Sequence, residues 1–124
     1  MLCQYEQTVF RMIDWNTLSS LEQLDEIDQL SHQRTVLIFK HSTTCPISGM
    51  AKYRLEDQWQ FPEGEAPKIY YLDLLNYRSI SNAIAERYSV HHESPQLLVI
   101  KEGECILESS HLGINLAEVA EVVG

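Results

Sequence analysis

The stretch Thr35 to Phe39 (TVLIF) is a continuous apolar run. It has no polar face to offer water, so it predicts a central strand buried on both sides. A strand covered on both faces needs helices on both, which narrows the chain to the α/β class.

The flanking sequence supplies those helices. Leu18, Leu21, Leu24, Ile27 and Leu30 recur at three-residue spacing, the stripe of an amphipathic helix. Asn16 or Ser19 is the expected cap, with Glu22 completing a capping box with Ser19. Pro46 stands where a first helical residue belongs, and the segment to Trp59 reads as a helix. Ser79 to Tyr88, opened by Ser79 or Ser81, reads as a third helix, and Asn115 to Val123 as a short fourth. Further strands are expected at Thr8–Ile13, Lys68–Leu74, Gln96–Ile100 and Cys105–Glu108, the last two joined by the tight turn Glu102-Gly103-Glu104. The predicted order is β-α-β-α-β-α-β-β-α, a mixed sheet with helices on both faces. Strands separated by helices are expected to be parallel neighbours, and the final hairpin antiparallel. At 124 residues the chain suits a single domain over 1–124.

A net charge of −9 repels phosphate backbones and anionic membranes, so neither nucleic acid nor membrane is an expected partner. The start Met1-Leu2-Cys3-Gln4-Tyr5-Glu6 lacks a basic segment followed by an apolar one, and a cytoplasmic location is expected. There the three cysteines stay reduced, and an odd number fits no disulfide framework. The acidic runs Glu22–Asp28 and Glu118–Glu121 read as solvated helix faces, and Trp59, Tyr70 and Tyr71 as core or rim packing.

Cys45 follows the buried strand, after the polar, turn-like His41-Ser42-Thr43-Thr44, and opens the Pro46 helix. Free N–H groups and the helix dipole at such a position favour thiolate over thiol, and thiolate is the species that attacks disulfides. Cys45 is therefore the candidate nucleophile. Pro46 has no N–H to give, so Ile47 and Ser48 are the expected donors, and the Ser48 hydroxyl, one turn on, is expected to reach the sulfur. Cys45 and Ser48 are the candidate catalytic pair, with Thr44, Pro46 and Ile47 lining the site. Serine in place of a second cysteine means that another thiol must resolve any mixed disulfide formed. Cys105, past the hairpin turn, is expected roughly 15 Å or more away, beyond the roughly 7 Å between Cα atoms that a disulfide spans. It reads as structural, and Cys3 is assigned no function.

Ser94-Pro95 opens a strand after the third helix. A cis peptide is expected there, leaving the backbone of Ser94 free to pair with an extended substrate. His41, His91 and His92 flank the two loops and read as solvated, with one of them lining the thiol groove as the alternative; His111 and Gly113 border the same groove. No Cys/His spacing fits a zinc site, so no metal is expected.

Thr44-Cys45-Pro46-Ile47-Ser48 together with Val90-His91-His92-Glu93-Ser94-Pro95-Gln96 resembles the monothiol bacilliredoxin family, the YtxJ-like branch of the thioredoxin-fold proteins. The similarity runs roughly from Trp15 to Leu116 and includes Ser109-Ser110-His111. The resemblance implies a thioredoxin fold. It also implies removal of bacillithiol, the small thiol that some bacteria use in place of glutathione, from mixed disulfides on proteins, with Cys45 accepting the bacillithiol group. Implied with it are no tightly bound cofactor, bacillithiol as co-substrate, bacillithiolated client proteins as partners, and a monomer or weak dimer. The alternative is a redox-inert thioredoxin-fold adaptor that holds peptides at the Ser94-Pro95 edge. A third reading, an iron–sulfur cluster between two monothiol subunits, is less well served by Pro46, which removes an N–H and stiffens the loop.

Overall fold

The computed structural model describes residues 12–62 and 64–123. The elements are β1 (Trp15–Thr17), α1 (Glu22–Leu30), β2 (Val36–His41), α2 (Pro46–Gln58), β3 (Lys68–Asp73), α3 (Arg78–Arg87), β4 (Gln96–Lys101), β5 (Glu104–Ser110), a 3₁₀ turn at His111–Gly113, and α4 (Leu116–Val122). Among the described residues five strands lie in the order β1-β3-β2-β4-β5, which puts the apolar run at the centre of the sheet. All residues of β2 are buried, and their side chains alternate between two cores. Val36 and Ile38 join Leu24, Ile27, Ile80 and Ile84 beneath α1 and α3. Leu37 and Phe39 join Ala51, Leu55, Leu116 and Val119 beneath α2 and α4.

The element order follows the sequence, while several boundaries differ from expectation. The strand expected at Thr8–Ile13 falls largely outside the described residues; Met12 and Ile13 are not in a strand, and the first strand among the described residues is the short Trp15–Thr17 paired with β3. The box at the start of α1 uses Gln23 rather than Glu22: its Oε1 accepts from the backbone N–H groups of Ser19 and Ser20, and its amide donates to Thr17 O. Asn16 is no cap, because its amide donates to Asp14 O and Ile69 O. Neither Ser79 nor Ser81 caps α3, whereas Asn115 does cap α4, accepting from the Ala117 N–H.

The larger correction concerns β4. It is antiparallel to β2, although helices separate the two in sequence. Residues 89–95 run back to the end of the sheet from which α3 departs, so β4 enters from the same end at which β2 leaves, with Gln96 opposite Lys40. The hairpin that follows has a two-residue turn, Glu102-Gly103, with φ of 53° and 77°. Positive φ at both positions gives the primed turn that matches strand twist, and it explains glycine there. The turn docks on the end of α1, where Ser31 accepts from the backbone N–H groups of Glu102 and Gly103.

Among the described residues no helix is long and apolar enough to cross a membrane. The acidic face of α1 is partly engaged. Asp25 and Asp28 pair with Arg87, and the Tyr88 hydroxyl donates to Asp28, tying α1 to the end of α3.

Candidate active site

Cys45 is the N-cap of α2, with extended backbone and Pro46 at the first helical position. Its N–H donates to Ser42 O at 3.1 Å, which closes a tight turn between β2 and α2, and its carbonyl accepts from the Gly49 N–H at 3.1 Å, the first bond of the helix. The side chain is half-buried, while Thr43, Thr44, Pro46 and Ile47 are exposed around it. Ile47 and Ser48 lie in the first helical turn, where N–H groups have no partner within the helix. An electrophilic sulfur thus has access to Cys45 at the positive end of the helix dipole.

Ser48 is fully buried. Its Oγ accepts from the Ser42 N–H at 3.0 Å and lies 2.6 Å from His41 Nδ1. The expectation that this hydroxyl reaches the sulfur is corrected: it is turned inward, and among the described residues no hydrogen bond joins it to Cys45. It clasps the turn that carries the cysteine. His41 is also not a solvated loop residue. It is the last residue of β2, buried, stacked on Phe39 with ring centroids 5.8 Å apart and 5.5 Å from Tyr71. Burial, reinforced by the Lys52 cation, holds its pKa below the ordinary histidine range, so the ring is neutral at pH 7. Beside this stack, Trp15 Nε1 and Lys52 Nζ both donate to Glu56 at 2.8 Å.

Across the sheet edge, the Ser94–Pro95 peptide is cis. Pro95 precedes Gln96, the partner of Lys40, so it lies at the same end of the sheet as the Ser42–Cys45 turn. Its carbonyl accepts from the His111 N–H at 3.0 Å, and His111 has φ of 54°, a left-handed conformation unusual for a residue with a side chain. Ser94 Oγ is shielded from solvent and has no hydrogen-bond partner among the described residues. His91 and His111 are exposed and flank the Glu93 carboxylate at 3.8 and 3.7 Å. Gly113 ends the 3₁₀ turn on the same rim, whose carbonyls at Leu112 and Ile114 accept from Arg54 on α2.

Sequence reasoning missed Lys40. The side chain is fully buried on the α1/α3 face, with Nζ 3.2 Å from Ser81 O and 3.2 Å from His92 Nδ1. Among the described residues no carboxylate forms an ion pair with it, and burial lowers its pKa to about 8. His92, read from sequence as solvated, is half-buried here, and burial followed by the Lys40 cation lowers its pKa. The signal in the sequence was a lysine and a histidine continuing straight on from TVLIF, where alternation would carry both inward.

Cys105 packs against the α1/α3 core, its thiol donating to Leu107 O, and burial pushes its pKa up. It pairs with Ile100 while Ser110 pairs with Gln96 at the Cys45 end, so it stands about 15 Å along β5 from that end. Cys3 lies outside the described residues. Trp59 and Tyr70 are buried in the core and Tyr71 is half-buried at its rim. Among the described residues no group of His, Cys, Asp and Glu has metal-site geometry.

The sequence model of the family described as Monothiol bacilliredoxin BrxC matches residues 16–119. Among solved structures, the chain is similar to a protein described as an oxidoreductase with a thioredoxin fold, at 31% identity and TM-score 0.69, covering 86% of this chain and 91% of that one. It is also similar in fold to thioredoxin from Malassezia sympodialis, at 18% identity and TM-score 0.68 over 95% of this chain and 94% of that one. Thioredoxin from Trypanosoma brucei brucei gives 15% identity and TM-score 0.67 over 90% and 88%.

Proposed function

Because the chain belongs to the monothiol bacilliredoxin family and is a thiol oxidoreductase with the thioredoxin fold, we propose that it removes bacillithiol from mixed disulfides on cytoplasmic proteins, with Cys45 as the nucleophile. The carrying observation is a half-buried sulfur at a helix start, with Pro46 next and a buried serine one turn on. The Cys45 thiolate attacks the bacillithiol sulfur. The new S–S bond forms as the client's bond breaks, and the client leaves as its thiolate. A second small thiolate then attacks the bacillithiol sulfur held on Cys45; the S–S bond to Cys45 breaks, the Cys45 thiolate returns, and bacillithiol leaves as a disulfide with the second thiol.

In this reading Ser94 and Pro95 pair with the client's backbone, Thr44, Pro46 and Ile47 line the approach, and Ser48 shapes the cysteine turn. Residues 1–124 act as one thioredoxin-like domain, as a monomer or weak dimer, with bacillithiol as co-substrate and no tightly bound cofactor. Cys105 is not called upon as the resolving thiol, since it is distant and its protonated form is favoured.

The test incubates the protein with a bacillithiolated model client and follows intact masses. Release of reduced client, with a transient bacillithiol adduct on Cys45, is expected, and Cys45→Ser should lower the rate by about 100-fold or more. Client release at full rate by Cys45→Ser, or tight client binding with an inert Cys45, would sink the proposal; the second outcome is the behaviour of an adaptor.

A further inference from the structure

We infer that Lys40 is a positioning residue for the segment that presents Ser94 and Pro95. The inference rests on the reading that this segment pairs with the client's backbone. Lys40 occupies a place where the alternation of β2, with Val36 and Ile38 on the same face, calls for an apolar side chain. An ammonium there is desolvated, and no carboxylate offsets it among the described residues. What it does make are two contacts, to Ser81 O on α3 and to His92 Nδ1. Residues 90–95 belong to no helix or strand, so their placement depends on such ties.

The chemistry of the contact is specific. An ammonium has only protons to offer, so the Nδ1 that faces it must present its lone pair. His92 is thereby held neutral, with its proton on Nε2. The Ser81 hydroxyl, 3.2 Å from the same nitrogen, adds a second contact from α3. Arg78 adds a further positive charge near His92 and Glu93 a negative one, with His91 beside them. From the opposite strand, Gln96 reaches His91 O and Glu108, so the loop is held from β4 and β5 as well as from β2 and α3. Of these ties, only Lys40 reaches the loop from the strand that leads into the Cys45 turn, so it registers the client-pairing edge against the nucleophile.

Lys40→Met tests this without an orphaned partner. Ser81 Oγ remains beside His92, and methionine fills much of the same volume. Bacillithiolated and glutathionylated forms of one client protein are assayed in parallel, together with alkylation of Cys45 by iodoacetamide, and His92 is titrated by ¹⁵N NMR. The expected result is a KM raised about five-fold for whichever client form turns over, the loss of one hydrogen bond. The kcat and the alkylation rate should hold, the His92 titration should move to higher pH, and the melting temperature should not fall. Wild-type preference between the two client forms reports on the bacillithiol reading separately. An unchanged KM, a fall in alkylation rate in step with turnover, or an unmoved His92 titration would overturn the role.

Discussion

Lys40 and His41 are consecutive, both buried at the exit of β2, and the alternation of the strand sends them to opposite faces of the sheet. Each meets a buried serine from the helix above it, Ser81 of α3 for Lys40 and Ser48 of α2 for His41. The outcomes differ in charge. On the α2 face, a neutral imidazole, a hydroxyl and one backbone N–H satisfy one another, and the Cys45 turn is held by groups that need no counter-ion. On the α3 face, a cation is held by neutral acceptors alone. A buried neutral network stabilises when complete, whereas a buried lone charge is destabilising whatever it holds in place. The nucleophile's turn and the proline loop are thus fixed by devices of opposite energetic sign.

That contrast can be broken experimentally. Ser48→Ala should remove the network's central member and leave the Ser42 N–H and His41 Nδ1 unpaired, lowering stability by about 2–4 kcal/mol in denaturant unfolding. A loss under about 1 kcal/mol would mean that the clasp is not a stabilising unit. Lys40→Met should act the other way, raising stability at pH 7 by up to about 3 kcal/mol. The pH dependence follows from the lowered pKa: the folded state binds fewer protons than the unfolded chain between pH 8 and 10.5. The penalty is therefore fully present below about pH 8 and fades as pH rises toward 10.5. The advantage of Lys40→Met should shrink over that window, and an advantage independent of pH would show that the charge is not its source. The double variant should be additive within about 0.5 kcal/mol, since the two networks share no partner. A larger coupling would show that β2 transmits strain between the faces.

The Cys45 site was readable where local rules decide. Proline at a first helical position marks the start of α2, and a central apolar run marks β2. The failures share a cause. From sequence the strand stops where apolar residues stop, at Phe39, which leaves Lys40 unassigned and puts His41 in the turn; in the structure β2 carries both inward, because partners from α2, α3 and the His92 loop are waiting there. Those partners are 7 to 52 residues away in sequence and leave no local mark. The direction of the Ser48 hydroxyl depends on the same long-range placement. The strand Trp15–Thr17 has no sequence mark for the complementary reason: it owes its conformation to pairing with β3 rather than to its own apolar content.

The thiol of Cys105 sits against the α1/α3 core beneath a hairpin whose turn is fastened to α1 by Ser31. It is half-buried, as Cys45 is, but the protonated form that burial favours slows its capture by an alkylating reagent. In a labelling time course, modification at this position serves as an internal reference thiol against which chemistry at the helix start is read. The same flask therefore yields two rates, told apart by which peptide gains mass.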